Sequence, residues 1–249
     1  MVSQYGRLDR LLSKKTGLSL RDLKAVLAAG RARVDGEVVR HADIRVGPFN
    51  SVALDGQVVQ VAAQPHYLML HKPAGVVSAT RDARHRTVID LLAGSAWAQD
   101  AAQLHVAGRL DATSTGLLLL TNDGHWSRAL CDPERAIRKR YRVRLRDPLH
   151  PDAVAAFAGG MYFAHEDITT RPAELVALDD REVEVALVEG RYHQIRRMFA
   201  RLGNRVVSLH RFAVGPWQLP GDLAPGQARA LTDAGAIWTS QDADRRETQ

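Results

Sequence analysis

Asp111 is the strongest candidate for chemistry in the sequence. It lies in the segment HVAGRLDATSTGLLLLTNDG, after a short predicted strand and within a run of Gly, Ser and Thr that leads into an apolar strand. A carboxylate at such a place can act as a nucleophile, but an aspartate in a loop more commonly caps a turn. The residue alone leaves both interpretations open, so the elements that position it have to decide between them.

The charge of the chain indicates a polyanionic partner. Its net charge is +6, although a basic surface can also serve solubility alone. The positive charge concentrates in residues 7–45, 135–146 and 191–211. No window approaches the roughly eighteen consecutive apolar residues of a membrane span, and the N-terminal residues lack the apolar stretch of a secretory signal. We therefore expect a cytoplasmic protein with no membrane partner.

The chain is predicted to fold as two domains. Residues 7–29 have the spacing of two short helices, and Asp-Gly pairs at 35–36 and 55–56 predict tight turns between strands. Gly17 is expected to end the first helix, and Ser19 with Asp22 to cap the second. We place this unit at 1–62, a linker at 63–66, a larger α+β domain at 67–240 and a disordered polar tail at 241–249.

The larger domain is predicted to contain a mixed, mainly antiparallel sheet flanked by helices. Several predicted strands adjoin with no room for a crossover helix, which favours antiparallel pairing. The predicted strands are 67–71, 75–79, 104–108, 117–121, 140–146, 173–178, 182–188 and 205–214. The predicted helices are 87–93, 124–130, 151–158 and 192–201, the first of them capped by Thr87 with Asp90.

The N-terminal unit resembles a known RNA-binding module. The segment RLDRLLSKKTGLSLRDLKAVLAAGRARVDGEVV, residues 7–39, is similar throughout to the S4 module. The resemblance implies a cationic helical face that binds structured RNA through its phosphates, with the leucines packed inside. A solvated helix face is the alternative interpretation. The cations expected to contact RNA are Arg10, Lys14, Lys15, Arg21, Lys24 and Arg31.

Four segments of the larger domain resemble the family of RNA pseudouridine synthases. They are HKPAGVVSAT at 71–80, GRLD with TGLL at 108–118, KRYRV at 139–143 and EGRYHQIRRMFARLGN at 189–204. The resemblance implies that Asp111 is the catalytic residue, that Tyr141 is an active-site tyrosine and that Arg196 contacts the aspartate. It also implies RNA or substrate contacts by Arg109, Lys72 and Leu209, although a loop salt bridge for Arg109 and core packing for Leu209 remain equally good interpretations.

The implied reaction needs a nucleophile and no cofactor. Pseudouridine forms when the bond from N1 of uracil to ribose breaks, the base turns, and C5 joins the same sugar carbon, with no redox change and no group donor. The one cysteine, Cys131, cannot build a disulfide or a cysteine metal site. We interpret the scattered His71, His105, His193 and His210 as packing, hydrogen-bonding or RNA-contacting residues. We therefore expect neither a metal nor another cofactor.

The resemblance also assigns roles around the nucleophile. Arg196 should keep Asp111 ionised and oriented. The target uridine should leave its stack, at a cost of a few kcal/mol, and Tyr141 should stack on the extruded base. Attack on C1′, addition to the pyrimidine ring and elimination to a glycal all remain open.

An S4 module joined to these motifs is typical of the RsuA branch of the family. The segments NDGHWS, EDITTRPAEL and RYHQ are similar to members of that branch that modify 16S ribosomal RNA. They imply uridine 516 as the target, and we expect a monomer acting on 16S rRNA in a small-subunit assembly intermediate. The alternatives are a related synthase acting on 23S rRNA and a catalytically silent RNA-binding assembly factor.

Overall fold

The computed structural model describes residues 5–237. The predicted tail at 241–249 lies outside the described residues. Within them the chain divides into two compact units, one of residues 5–66 with 122–125 and one of residues 67–121 with 126–237. Across 5–237, no helix has both the length and the apolar character needed to cross a membrane.

The first unit consists of two helices and short strands around a leucine-rich core. Its elements are β1 (Gly6–Arg7), α1 (Leu8–Thr16), α2 (Leu20–Ala28), β2 (Ala32–Val34), β3 (Glu37–Val39), β4 (Arg45–Val46), β5 (Val52–Leu54) and β6 (Gln57–Gln60). Leu8, Leu12, Leu23 and Leu27 are fully buried, as the helical spacing requires. These leucines leave the opposite faces of both helices to solvent.

Local turn and cap signals in this unit are confirmed. Gly17 adopts the left-handed conformation at the end of α1, and the Ser19 hydroxyl accepts a hydrogen bond from the Asp22 amide at the start of α2. Asp35 and Gly36 both have positive φ, at 51° and 88°, where β2 turns into β3. Positive φ at both central residues is the geometry of a type I′ hairpin, which Asp-Gly pairs favour. The second such pair joins β5 to β6 in the same way.

The second unit is built on one large sheet. Beyond residue 66 the strands are β7 (Tyr67–Lys72), β8 (His105–Ala107), β9 (Thr115–Thr121), β10 (Lys139–Leu145), β11 (Tyr162–Phe163), β12 (Ile168–Thr169), β13 (Glu174–Ala177), β14 (Glu182–Leu187), β15 (Val206–Val214), β16 (Trp217–Gln218) and β17 (Ala228–Ala230). The helices are α3 (Gly124–Cys131), α4 (Ala153–Gly159) and α5 (Gln194–Arg201). Within the described residues, β11 pairs only with β12, and the other nine strands form the sheet.

The sheet is mixed and mainly antiparallel, as predicted. Its main order is β13-β14-β10-β15-β9-β7-β17, with β8 on β9 and β16 on β15. Among the strands of this sheet within residues 5–237, only β9 and β15 run parallel, through His210 opposite Thr115 and Arg211 opposite Gly116. Gly116 has φ +112°, and a side chain there would collide with the backbone of Arg211. This glycine lets the strand that follows Asp111 lie directly against β15.

Strand β9 is buried on both faces, which explains its unbroken run of leucines. Leu118 and Leu120 join the core cluster that contains α4 and α5, whereas Leu117 and Leu119 join the cluster around Trp126 on the other side. The sequence of a strand buried on both sides is continuously apolar because its side chains alternate between two cores. The first cluster packs on the face of the sheet that carries α5.

Two predicted elements of this unit are wrong in type or extent. The strand predicted at 75–79 forms only one isolated bridge, between Val77 and Thr87. The helix predicted at 87–93 is a single 3₁₀ turn, Asp90–Leu92, although Thr87 and Asp90 exchange the expected capping hydrogen bonds. The short strands β11, β12, β16 and β17 were not predicted. A cap can thus form where the helix behind it does not continue.

Candidate active site

The loop at residues 108–114 carries Asp111 from the end of β8 to the start of β9. A turn closed by a hydrogen bond from the Ser114 amide to the Asp111 carbonyl, at 3.0 Å, holds the middle of the loop. Asp111 faces a small cleft of about 80 Å³ that Tyr141, Arg196 and Leu209 also line. Residues far apart in the sequence therefore meet at one place.

The Asp111 carboxylate lies between two basic side chains. Its Oδ2 is 3.7 Å from Nε of Arg196, and its Oδ1 is 3.4 Å from Nε2 of His193. The Arg196 guanidinium is fixed in turn by the Thr113 hydroxyl at 3.1 Å and the Val206 carbonyl at 3.3 Å. The Asp111 side chain keeps 28% of its surface exposed. It is therefore accessible from the cleft, with a guanidinium and an imidazole beside its two oxygens.

His193 is a site residue that the sequence did not place. It has positive φ, at 50°, immediately before α5 begins. His193 and Arg196 are three residues apart, so the start of the helix turns both toward Asp111. That spacing in the RYHQIRR segment is the signal that could have located it.

A buried carboxylate organises the residues that precede α5. Glu189 is 7% exposed and accepts hydrogen bonds from the Gln194 amide at 2.5 Å, from Nε of Arg191 at 3.0 Å and from the Arg171 backbone amide at 2.9 Å. A buried charge requires such full pairing. This network fixes the entry to α5 and with it the positions of His193 and Arg196.

Tyr141 and Leu209 form the apolar side of the cleft. Tyr141 is 6% exposed and Leu209 is 7% exposed, and they lie on the adjacent strands β10 and β15. Among residues 5–237 the Tyr141 hydroxyl has no protein hydrogen-bond partner. A buried tyrosine usually finds one. The cleft thus combines an apolar wall, an available hydroxyl and the Asp111 carboxylate between Arg196 and His193.

Lys72 does not lie on the surface that an RNA contact would require. It is fully buried, and its ammonium donates to the backbone carbonyls of Pro73 at 2.9 Å, Ala112 at 3.2 Å and Ser114 at 2.8 Å. Burial lowers the pKa of Lys72 to about 8, while the Asp111 charge raises it and the Arg211 charge lowers it. Lys72 therefore supports the second half of the loop from below.

Arg211 supports the first half, and the sequence did not single it out. It is 2% exposed and donates to the carbonyls of Leu117 at 2.8 Å, Arg109 at 3.2 Å and Gly108 at 3.1 Å. Leu110 lies in the loop next to Asp111, and its carbonyl accepts a hydrogen bond from the Ser78 hydroxyl at 2.7 Å. The backbone on both sides of Asp111 is consequently fixed by buried donors.

Comparison with known proteins decides the family. The model of a family described as RNA pseudouridylate synthase matches residues 66–201, which is more than half of the chain. The chain belongs to this family. Ribosomal small subunit pseudouridine synthase A from Pseudomonas aeruginosa is 45% identical to this synthase over 90% of the chain and 96% of its own length. The protein of that name from Yersinia pestis is 42% identical over 91% and 94%.

A solved structure agrees with the fold of the synthase. The crystal structure of a pseudouridylate synthase superposes with a TM-score of 0.67 and 34% identity, and it covers 93% of this chain and 99% of that one. The fold class and the enzyme class that the motifs implied are thereby confirmed. The protein is an RNA pseudouridine synthase, an isomerase.

Arg109, in the loop at residues 108–114, has a side chain that remains open to solvent. It is exposed and lines the cleft, and within the part of the chain that the structure describes it has no acidic partner. The alternative of a salt bridge within the loop is therefore wrong. Its guanidinium is available to a phosphate or a base at the mouth of the cleft.

The cations of the first unit differ in whether an acid neutralises them. Arg31 is exposed but makes a bidentate ion pair with Asp55, both contacts at 2.6 Å. The other predicted contacts are exposed and have no ion-pair partner among residues 5–237; they are Arg10, Lys14, Lys15, Arg21 and Lys24. The surface of α1 and α2 therefore carries uncompensated positive charge.

Two arginines of β10 are paired with glutamates of the neighbouring strand β14. Arg142 lies 3.4 Å from Glu182 and 3.1 Å from Glu184, and Arg140 lies 3.4 Å from Glu184. Arg138, immediately before β10, pairs with Glu174. These three arginines therefore have local acidic partners.

Proposed function

We propose that this synthase isomerises one uridine of small-subunit, 16S ribosomal RNA to pseudouridine, at position 516, with Asp111 as its nucleophile. The observation that carries the proposal is the Asp111 carboxylate, 3.7 Å from Arg196 in a cleft shared with Tyr141. The small-subunit target is supported by the names of relatives that are 42% and 45% identical over nine tenths of the chain. Position 516 rests on the resemblance of the segments NDGHWS, EDITTRPAEL and RYHQ.

The surroundings of Asp111 suit an anion that must react. Arg196 and His193 approach opposite oxygens of Asp111, and the charge of the Arg196 guanidinium attracts the carboxylate. The charged carboxylate can then attack C1′, add to the pyrimidine ring or take up the sugar cation of a glycal route.

The apolar wall suits an extruded base. A uridine stacked in a helix shields its glycosidic bond, so the nucleotide has to turn out into the cleft. Tyr141 then stacks on the uracil, with its hydroxyl near the ribose for proton transfer, and Leu209 packs against the base. The exposed Arg109 holds adjacent phosphates or fills the space that the base leaves.

The S4 module at residues 1–62 supplies affinity for folded RNA. Its exposed cations Arg10, Lys14, Lys15, Arg21 and Lys24 neutralise phosphates, and Arg31 joins them if RNA displaces Asp55. Residues 63–66 link the module to the synthase domain at 67–240. We propose a cytoplasmic monomer whose substrate is 16S rRNA in a small-subunit assembly intermediate.

The test is to map pseudouridine in 16S rRNA by mass after incubation with purified protein. The RNA is supplied naked and as a partly assembled subunit, and the Asp111→Asn variant is the control. We expect a single new pseudouridine at 516, formed faster in the assembly intermediate and absent with the variant. Modification at another position, or none in either form, contradicts the proposed target.

A deletion strain separates the proposal from its two alternatives. Both rRNAs are mapped in the strain and after complementation with the parent or with Asp111→Asn. We expect loss of the 16S modification only, restored by the parent alone. Loss of a 23S site with a normal 16S site would identify a large-subunit enzyme. If the deletion strain loses no modification, and Asp111→Asn restores its growth and ribosome assembly as the parent does, the protein is an RNA-binding assembly factor.

A further inference from the structure

Tyr192 exposes an aromatic ring beside the cleft. Its exposed fraction is 75%, well above the 48% of Tyr162. The ring stacks on that of His193 with a centroid distance of 3.9 Å and an interplanar angle of 16°. One face of Tyr192 is thus covered by a residue that contacts Asp111, and the other face is open to solvent.

The segment that carries this ring is held from two sides. Glu189, Gln194 and the Arg191 backbone are tied by hydrogen bonds on one side. On the other side Nη1 of Arg197 donates to the Tyr192 carbonyl at 3.4 Å. Arg197 is itself fixed by a bidentate ion pair with Glu166 and lies 3.8 Å over the Phe163 ring. The ring is therefore presented by a fixed backbone rather than by a loose loop.

The backbone conformation of the neighbouring residue is also unusual. His193 has a positive φ of 50°, which is uncommon for a residue other than glycine. At this point of the chain His193 lies 3.4 Å from Asp111, whereas Tyr192 is exposed. Such local strain persists only where the surrounding contacts enforce it, and it clusters at binding sites.

The charges around the ring fit a nucleic-acid ligand. The lining of the cleft carries Arg109, Arg191 and Arg196. Arg191 is paired with Glu189 and Arg196 lies beside Asp111, so Arg109 is the lining arginine without an acidic partner among residues 5–237. An exposed aromatic face with cations around it is the arrangement that binds unpaired bases of RNA, because every base has a face that can stack and every phosphate a charge to neutralise.

We propose that Tyr192 is the stacking platform for an unpaired base next to the target uridine. With the target base on Tyr141 inside the cleft, the Tyr192–His193 stack receives a neighbouring base at its mouth. The platform keeps the flanking nucleotide from restacking, and so it favours the extruded state of the target. This inference rests on the proposed RNA substrate and concerns binding rather than the chemical step.

The experiment compares Tyr192→Ala, Tyr192→Leu and Tyr192→Phe in tritium release from 16S rRNA labelled at C5 of uridine, which loses its hydrogen when C5 joins the sugar. The matched control is Tyr162→Ala, since Tyr162 is also an exposed tyrosine, at 48%. Loss of one base stack should raise KM roughly 5- to 100-fold in the Ala and Leu variants, with kcat within about twofold of the parent. Tyr192→Phe and Tyr162→Ala should keep the parental KM.

A second measurement reports on the base itself. 2-Aminopurine is placed next to the target uridine, on one side or the other, in an RNA fragment. Its fluorescence should be quenched when the fragment binds the Asp111→Asn protein, and this quenching should be lost in the double variant that also carries Tyr192→Ala. An unchanged KM, an effect shared by Tyr192→Phe, or a fall in kcat alone would overturn the platform. If the parent protein modifies no 16S rRNA, the proposed function fails instead. The parent is therefore assayed before any variant.

Discussion

The buried cations that hold the loop at residues 108–114 and the cations on α1 and α2 occupy opposite surroundings. Lys72 and Arg211 are at most 2% exposed and donate only to backbone carbonyls. Lys14, Lys15 and Lys24 are exposed and have no ion-pair partner in the described part of the chain. The first pair sets the shape and potential at Asp111, whereas the second group is free to meet phosphates.

The difference predicts that the positive charge of this chain has two separable functions. A buried cation acts through hydrogen bonds and a low-dielectric field, which salt barely screens. An exposed cation acts by releasing counterions from RNA, an effect that salt screens strongly. Changes at the loop should therefore alter the chemical step and the stability, and changes at the helices should alter affinity.

The largest effect is expected from Asp111→Asn. Replacing the proposed nucleophile should lower kcat by at least about a thousandfold, because Asn offers no anion to attack or to hold the sugar cation. The Kd for 16S rRNA should stay within about twofold, since the helix cations are untouched. Product mapping and filter binding measure the two quantities. Asp152→Asn, at an exposed aspartate, is the control, and residual pseudouridine formation by Asp111→Asn would remove the proposed nucleophile.

Lys72→Met should reduce both stability and turnover. The substitution leaves the carbonyls of Pro73, Ala112 and Ser114 without their buried donor. We expect the free energy of unfolding to fall by about 2 to 4 kcal/mol and kcat to fall roughly tenfold to a hundredfold as the loop loosens. Urea unfolding and steady-state kinetics test this. An unchanged kcat in the folded variant would contradict a positioning role.

The pH dependence of stability and of kcat separates the effect of Lys72 on folding from its effect on turnover. Its pKa in the folded protein is about 8, below its ordinary 10.5, so between these values the unfolded chain binds more protons. The stability advantage of the parent over Lys72→Met should therefore grow as pH rises from 8 to 10.5. Activity should fall over the same interval, because the neutral amine no longer offsets the Asp111 charge. Lys72→Met should lack this alkaline limb of kcat, and an identical limb in both proteins would assign it elsewhere.

Much of the site could be predicted because short sequence strings specify it. Asp111, Tyr141 and Arg196 belong to motifs whose residues and spacing are specific, and their meeting in one cleft follows once those strings are recognised. The hairpin turns at Asp35 and Asp55 follow from φ preferences of single residues. Signals of this kind are local and do not depend on the sheet.

The buried supports could not be predicted because they depend on strand register. Whether Lys72 points to RNA or under the loop is decided by the pairing of β7 with β9, where it faces Gly116. Arg211 is buried because β15 lies parallel to β9 at that residue. The apolar segment 75–79 has strand propensity, yet it runs beside the loop, where Ser78 binds Leu110, and tertiary contacts override the propensity.

Neutralising the exposed cations tests the other region. We expect the combined Lys14→Gln, Lys15→Gln and Lys24→Gln variant to bind 16S rRNA roughly tenfold more weakly at low salt. The slope of log K against log salt should fall by roughly 0.7 to 0.9 for each phosphate that the variant no longer neutralises. The kcat at saturating RNA should be unchanged. Equal salt slopes before and after the substitutions would contradict the RNA-binding role of α1 and α2.

The smallest effect is expected from Arg142→Gln, although its sequence context is just as basic. Arg142 lies between Glu182 and Glu184, so its charge is compensated locally, and its loss leaves Glu184 near Arg140. An exposed pair of this kind contributes about 0 to 1 kcal/mol, and we expect the RNA Kd to change by less than about twofold. If the variant instead binds as weakly as the triple lysine variant, RNA must displace these glutamates. In that case Glu182→Gln should strengthen RNA binding, because it frees Arg142. If the glutamates instead stay paired with Arg142, Glu182→Gln should also change the RNA Kd little.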